Sequence, residues 1–341
     1  MCKKFFILLT VLLHLSASNV LWAQTDAQIT VLYDAFGKTS SLKKDWGFAA
    51  LIEYDGKHIL FDTGNNAEVF AHNIAAAGID LSSLDFAVIS HRHGDHMGGL
   101  THLLKVNPGL NIYAPQEGFG VFGATLPGDF YPGNEALPPE KRYFDGKPPE
   151  TLTFGSAWPT AKFSWIGETG EISPGIHLIA LVGNWGTDLA VRELSLAIDT
   201  PKGIVLVVGC SHPTIEKIVE TAIATLHKPV HLVLGGTHLL PASASEIHRI
   251  ATVLHDKLDV HWIAPAHCTG EPAFEILQQT FADHYLYAGL GSTIGFDPDL
   301  DMPQGQTASS ATPDKNDALI YRLLSAAEAF HSDRQQLATQ Q

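Results

Sequence analysis

The stretch Ser90-His91-Arg92-His93-Gly94-Asp95-His96-Met97-Gly98-Gly99 decides how this chain is read. Four metal-binding side chains, His91, His93, Asp95 and His96, fall within six residues. They follow an apolar run, Leu84–Ser90, that reads as a buried strand, and precede Gly98–Val106, which reads as a helix. A strand end holds its side chains rigidly, and the glycines let the backbone turn sharply around an ion. Imidazole together with carboxylate suits zinc, and also iron or manganese. His91 and His93 are placed to serve one ion, while Asp95 and His96, further round the turn, serve a second. Histidine is abundant throughout, at 18 of 341 residues, and it is the commonest protein metal ligand.

Strand and helix signals flank this stretch on both sides. Ile29–Ala35 alternates, and Gly47–Tyr54 and His58–Asp62 flank Asp55-Gly56, a two-residue hairpin turn. Asn66–Ala77 reads as a helix with Gly78 as its C′ residue. Asn111–Ala114 is a further strand. Pro115–Pro174 shows no clear periodicity and is rich in aromatics, among them Phe163 and Trp165. It is expected to be an insertion, either a lid over the site or a segment packed on the body by its own aromatics. Beyond it, Ile176–Val182, Glu193–Ile198, Ile204–Gly209, Val230–Leu234 and Val260–Ala264 read as strands. Helices are expected from Pro213 to about Leu226, from the capping box Ser243-x-x-Glu246 to about Leu258, and over Pro272–Phe281. Both halves mix strands with helices. That predicts an α/β fold, two sheets packed face to face with helices outside.

With 45% hydrophobic and 17% charged residues, the chain is not intrinsically disordered, and it is long enough to bury a core without staples. A formal net charge of −15 argues against nucleic-acid partners, which need a basic footprint. The N-terminus places Lys3 and Lys4 before an apolar run, Phe5–Leu15, then the small residues Ser16, Ala17 and Ser18 and a cleavage point after Ala23. Residues 1–23 therefore read as a secretory signal with a run too short to span a bilayer. The expected organisation is a signal, one domain over residues 24–300 with the lid-like insertion at 115–174, and a flexible tail over 301–341. Asp317–Phe330 is a candidate terminal helix. The mature protein is expected to be periplasmic or secreted, without stable membrane insertion. Beyond the signal only Cys210 and Cys268 remain, which is not a disulfide framework.

His-x-His-x-Asp-His after an apolar strand resembles the signature of the metallo-β-lactamase-fold superfamily. Phe61-Asp62-Thr63-Gly64 resembles the early Asp-x-Gly turn of the same superfamily. Gly209-Cys210-Ser211-His212, Gly235-Gly236-Thr237-His238-Leu239 and Pro265-Ala266-His267-Cys268-Thr269-Gly270 resemble one branch, named for dihydropterin–aminobenzene-phosphate synthases. The resemblance spans about residues 30 to 295. It implies an αββα four-layer sandwich. It also implies one or two divalent transition-metal ions, zinc foremost, held by His91, His93, Asp95, His96, His212 and His267. His238 is either a further ligand or a substrate-orienting or acid–base residue, and Asp95 would also orient or deprotonate the nucleophile. Asp62 is expected to hold a ligand histidine or the glycine-rich turn from behind.

One departure is visible. The superfamily usually offers Gly-His-Thr-x-Gly and then an Asp that bridges two metals, and neither is plain here. Cys210 or Ser211 stands roughly where the bridging Asp would be, which argues against a β-lactamase. Three readings stand for Cys210 and Cys268: buried small hydrophobes, which is favoured, metal ligands, or a disulfide. The implied activity is hydrolysis of a small-molecule ester, lactone, amide or phosphoester through a metal-bound hydroxide. The alternatives are group transfer of the synthase type and a non-catalytic metal or ligand binder.

Overall fold

A computed structural model describes residues 27–296 apart from 39, 118–124, 129–131, 154–157, 159 and 184–189. The expected signal and terminal helix lie outside the described residues. In chain order the first half gives β1 (Gln28–Tyr33), β2 (Ala49–Tyr54), β3 (Lys57–Phe61), α1 (Ala67–Ala76), β4 (Phe86–Val88), α2 (Gly94–Met97), α3 (Leu100–Val106) and β5 (Asn111–Pro115). A small hairpin of β6 (Thr125–Pro127) and β7 (Thr151–Thr153) follows, then β8 (Lys162–Ile166), β9 (Gly170–Ser173), β10 (Ile176–Gly183), β11 (Val191–Thr200) and β12 (Gly203–Val208). The remainder is α4 (Ile215–Leu226), β13 (Val230–Gly236), α5 (Ala244–Thr252), β14 (Trp262–Ala266), α6 (Glu271–Phe281) and β15 (Thr293–Gly295).

One sheet runs in the order β15-β1-β2-β3-β4-β5-β8 and the other in the order β14-β13-β12-β11-β10-β9. The β2–β3 hairpin pairs Tyr54 with Lys57, and Asp55 and Gly56 both take positive φ (49° and 71°), as a tight primed turn requires. Strand β12 shows how the layers form. Its side chains alternate: Val205 and Val207 enter the core between the sheets, whereas Ile204, Leu206 and Val208 face the layer of α4, α5 and α6. On the far side of the first sheet, Phe70 and Ile74 of α1 and Leu100 and Leu103 of α3 cover Leu60, Ala87 and Ile112. The result is the expected four-layer α/β/β/α sandwich. Within it, β3, β4, β5 and β8 are parallel, as are β12, β13 and β14. Among the described residues, no helix is long and apolar enough to cross a membrane.

The structure differs from the sequence reading in three places. The segment 115–174, read as lacking regular structure, supplies β8 to the edge of one sheet and β9 to the edge of the other. Edge strands of four or five half-exposed residues carry too short an alternation to register as a period. The strand before the histidine stretch is shorter than Leu84–Ser90: it starts at Phe86, and although Ile89 N–H still donates to the Tyr113 carbonyl at 2.8 Å, Ser90 N–H turns to Asp62 Oδ1 at 2.7 Å. Helix α4 begins at Ile215, not at Pro213. Thr214 is its N-cap at φ 80°, and Ser211 also has positive φ (65°), so the chain turns tightly after β12 to present His212 before the helix starts.

Candidate metal centre

The parallel strands of both sheets end at one rim, where an open α/β sheet places its crevice. Asp62 follows β3, the stretch His91–His96 follows β4, Cys210–His212 follow β12, His238 follows β13 and His267 follows β14. Close packing of backbones makes this convergence possible. A Cβ on Gly98 would lie 2.0 Å from the Asn65 carbonyl oxygen, and one on Gly99 2.3 Å from that of Thr63. These two glycines are needed for close approach and not, as the sequence reading had it, for a turn around an ion.

Three nitrogens form one cluster. His91 Nε2 and His93 Nδ1 are 3.0 Å apart, and His212 Nε2 is 3.2 Å from each. Proton accounting shows that the space between them suits a cation. Ser90 Oγ donates to Asp62 Oδ2 at 2.7 Å, so it accepts from His91 Nδ1–H at 2.9 Å, and His91 Nε2 is left with its lone pair facing the other two. Neutral His93 and His212 that hold their protons on the other ring nitrogen turn two more lone pairs to the same space, the geometry that a cation takes. Nitrogens around one tetrahedral zinc would lie about 3.4 Å apart, given Zn–N bonds of ~2.1 Å. Burial, then the neighbouring imidazoles, holds His91 well below the ordinary histidine value; the same causes bring His212 down to about 3. Both are neutral, as metal ligands must be.

A second cluster lies beside the first. His96 Nε2 is 3.1 Å from His267 Nε2, and Asp95 Oδ2 lies 3.4 Å from His267 Nε2 and 3.8 Å from His96 Nε2. Behind it, His96 Nδ1–H donates to Asp62 Oδ2 at 2.6 Å, so the Nε2 that a cation would take is the one pointing inward. Burial opposes charge on His96, yet the Asp62 carboxylate outweighs it and pushes His96 up to about 9. Burial also opposes charge on the half-buried Asp95, but the hydrogen bond from His267 and the charges of His96 and His267 hold its carboxyl well below the usual range. Positive charge is thus favoured here, and a bound cation would replace the proton that His96 otherwise carries. Cys210 Sγ adds a soft donor 3.1 Å from His96 Nε2.

The structure therefore brings together His91, His93, Asp95, His96, His212 and His267, and the donor set fits two transition-metal ions. His238 joins them at the margin, half-buried, its ring 4.6 Å from that of His212. Two residues that sequence reasoning passed over hold the later loops in place. Glu193 on β11 accepts the backbone N–H of Cys210, Ser211 and His212 at 2.9, 2.7 and 2.7 Å. Asp34, at the end of β1, accepts that of His267 at 2.9 Å. Burial pushes both carboxyls up to about 7 against these donors. No sequence signal marks them, since each is one acid at a strand end or within a strand. Trp46 is the other such residue: it is 45% exposed, with its ring 5.2 Å from that of His267.

A four-layer sandwich with paired donor clusters at the strand ends is the architecture of a metal-dependent hydrolase fold. The chain belongs to the metallo-β-lactamase superfamily, whose sequence profile matches residues 47–181. It is 32% identical over 287 residues, covering 78% of this chain and 95% of the relative, to 7,8-dihydropterin-6-methyl-4-(beta-D-ribofuranosyl)-aminobenzene-5'-phosphate synthase of Methanocaldococcus jannaschii. Among solved structures, a metal-dependent hydrolase of the β-lactamase superfamily aligns with a TM-score of 0.59 at 26% identity, covering 79% of this chain and 99% of that one. The metallo-β-lactamase fold protein YhfI of Bacillus subtilis aligns at 0.50 and 12% identity, covering 78% and 98%, which speaks to the fold alone.

Proposed function

We propose that the protein is an exported metallohydrolase of a small-molecule ester, lactone, amide or phosphoester. The observation that carries the reading is the triangle of imidazole nitrogens at 3.0–3.2 Å beside a second His–Asp–His cluster. His91, His93 and His212 would hold one ion and Asp95, His96 and His267 the other, with zinc foremost and iron or manganese next. Bound divalent cations supply a polarising charge for the group under attack and make a hydroxide nucleophile available near neutral pH. Asp95, kept ionised by its neighbours, would orient the attacking water or accept the proton that this water releases on becoming hydroxide. His238 sits beside the first cluster, where it orients the substrate or protonates the leaving group. Trp46, exposed with its ring 5.2 Å from that of the ligand His267, and Leu240, exposed two residues after His238, offer an apolar wall. A wall of that kind and a net charge of −15 favour a small substrate with an apolar part over nucleic acid. Export rests on the basic and apolar N-terminal segments, and a periplasmic or extracellular product beginning at Gln24 would support it.

Element analysis, followed by a panel of chromogenic esters, lactones and phosphodiesters, tests the reading. We expect one to two Zn, Fe or Mn ions per chain and activity lost with His212→Ala. Absence of these metals with no uptake on reconstitution overturns it. The 32%-identical synthase favours a second reading, group transfer from a phosphorylated donor. Metal-dependent turnover that requires an acceptor other than water would select it.

A further inference from the structure

Cys210 follows β12 with its Sγ among imidazole nitrogens, not among the apolar side chains that a cysteine filling a core would meet. Its sulfur is 3.1 Å from His96 Nε2, and it forms candidate ligand groups with His91 and His96, with His212 and His238, and with His267 and Cys268. It therefore neighbours donors of both clusters: His91 and His212 from the first, His96 and His267 from the second. Its position is fixed from behind. Its own N–H is held by Glu193, and a Cβ on the preceding Gly209 would lie 2.3 Å from Ser90 Oγ, so the end of β12 is pressed against the end of β4. Cys268 differs in degree. Its Sγ lies 3.6 Å from the carbonyl oxygen of Cys210 and hydrogen-bonds with His238, and among the described residues its one candidate ligand group is with Cys210 and His267.

We propose that Cys210 binds as a thiolate between the two ions and joins the donor clusters into one dinuclear centre, a soft ligand where a carboxylate would otherwise bridge. The assignment rests on the two-cluster metal reading above. On binding, the S–H bond breaks, the sulfur forms a bond to each ion, and the proton leaves to solvent with no change of oxidation state. A thiolate there would also set the metal preference toward zinc, because sulfur is a poor partner for manganese.

Cobalt(II) titration under reductant tests this without any activity measurement. The chelator-stripped full chain carrying Cys2→Ser and Cys268→Ser retains Cys210 as its single cysteine. We expect an intense near-ultraviolet sulfur-to-cobalt charge-transfer band that grows through the second equivalent. Cys210→Asp in the otherwise native chain should still take two ions but lose that band entirely. Cobalt binding to the single-cysteine protein with only weak visible bands overturns the thiolate assignment, as does a band surviving in Cys210→Asp. A band complete at one equivalent overturns the bridging placement. No cobalt binding at all would overturn the metal reading itself, a different and distinguishable failure. Because the single-cysteine protein keeps Cys210, the decision does not depend on a Cys210 variant folding.

Discussion

Replacing Glu193 should weaken both the fold and the metal centre, although the side chain is aimed at backbone and not at any ion. Its two oxygens take three consecutive N–H groups in a loop where Ser211 and Thr214 have positive φ, a conformation that side chains resist. In Glu193→Ala these buried donors lose their acceptor. At ~1–3 kcal/mol for each unsatisfied group, and with some water entering, the loss should be about 3–5 kcal/mol. Glu193→Gln keeps one acceptor oxygen and should cost about 2 kcal/mol. Because the loop carries Cys210 and His212, metal affinity should fall ~10–100-fold in both, as when other supports behind ligands are removed. Urea unfolding of the metal-free proteins reads the first effect, and competition with a chromogenic chelator reads the second. The same residue carries a pH signature. Burial raises its folded pKa to about 7 from 4.5, so the folded state holds a proton that the unfolded chain releases. Its contribution is complete below pH 4.5 and is lost as pH rises through about 7, up to ~3 kcal/mol. Asp34, also raised to about 7, contributes in the same direction, so Glu193→Gln should flatten the slope only in part. An Ala variant with the native urea midpoint and native chelator competition would refute the reasoning.

Asp62→Asn should lower metal affinity ~10–100-fold, because an amide cannot accept from Ser90 N, Ser90 Oγ and His96 Nδ1 together. The His96 pKa of the metal-free variant should drop from about 9, followed by proton NMR titration. His93→Ala or Asp95→Ala should strip most metal on element analysis, whereas Cys268→Ala should leave the content nearly native; equal losses would promote Cys268 to ligand. Trp46→Ala should raise KM several-fold for substrates with an aromatic part, with little change in kcat or metal content, whereas Trp46→Phe should recover most of the binding. An unchanged KM in Trp46→Ala would remove the indole from the substrate wall.

What the sequence made legible was local. His91, His93, Asp95 and His96 sit in six residues, and one strand end can present them together, so their grouping follows from spacing alone. The hairpin at Asp55-Gly56 and the cap at Ser243, which accepts from Glu246 N at 3.3 Å, are likewise short-range features. Cys210 was not legible in the same way. A buried cysteine suits a core, a metal and a disulfide alike, and what separates them is its approach to His96, 114 positions away. Glu193 and Asp34 were missed for the same reason, since their partners are backbone groups brought in by strand order. Pro213 misled because its fitness for a helix start is real, but presenting His212 took precedence over the local preference.

The division of the donors between the sheets gives the centre its coupling to folding. His91, His93, Asp95 and His96 extend from the first sheet, whereas Cys210, His212 and His267 extend from the second. Each cluster takes two groups from one sheet and a histidine from the other, so neither cluster exists until the sheets have docked. A cation in either cluster therefore binds the folded arrangement far better than the open chain, and its binding free energy adds to the cohesion of the rim. Without cations, cohesion there falls to N–H···N contacts among the imidazoles, the proton on His96, and the two carboxyl groups behind the loops. Glu193 and Asp34 thus have a purpose that the ligands cannot serve. They keep the loops of the second sheet in position before metal arrives, so that metal capture needs small side-chain adjustments and no refolding of the rim.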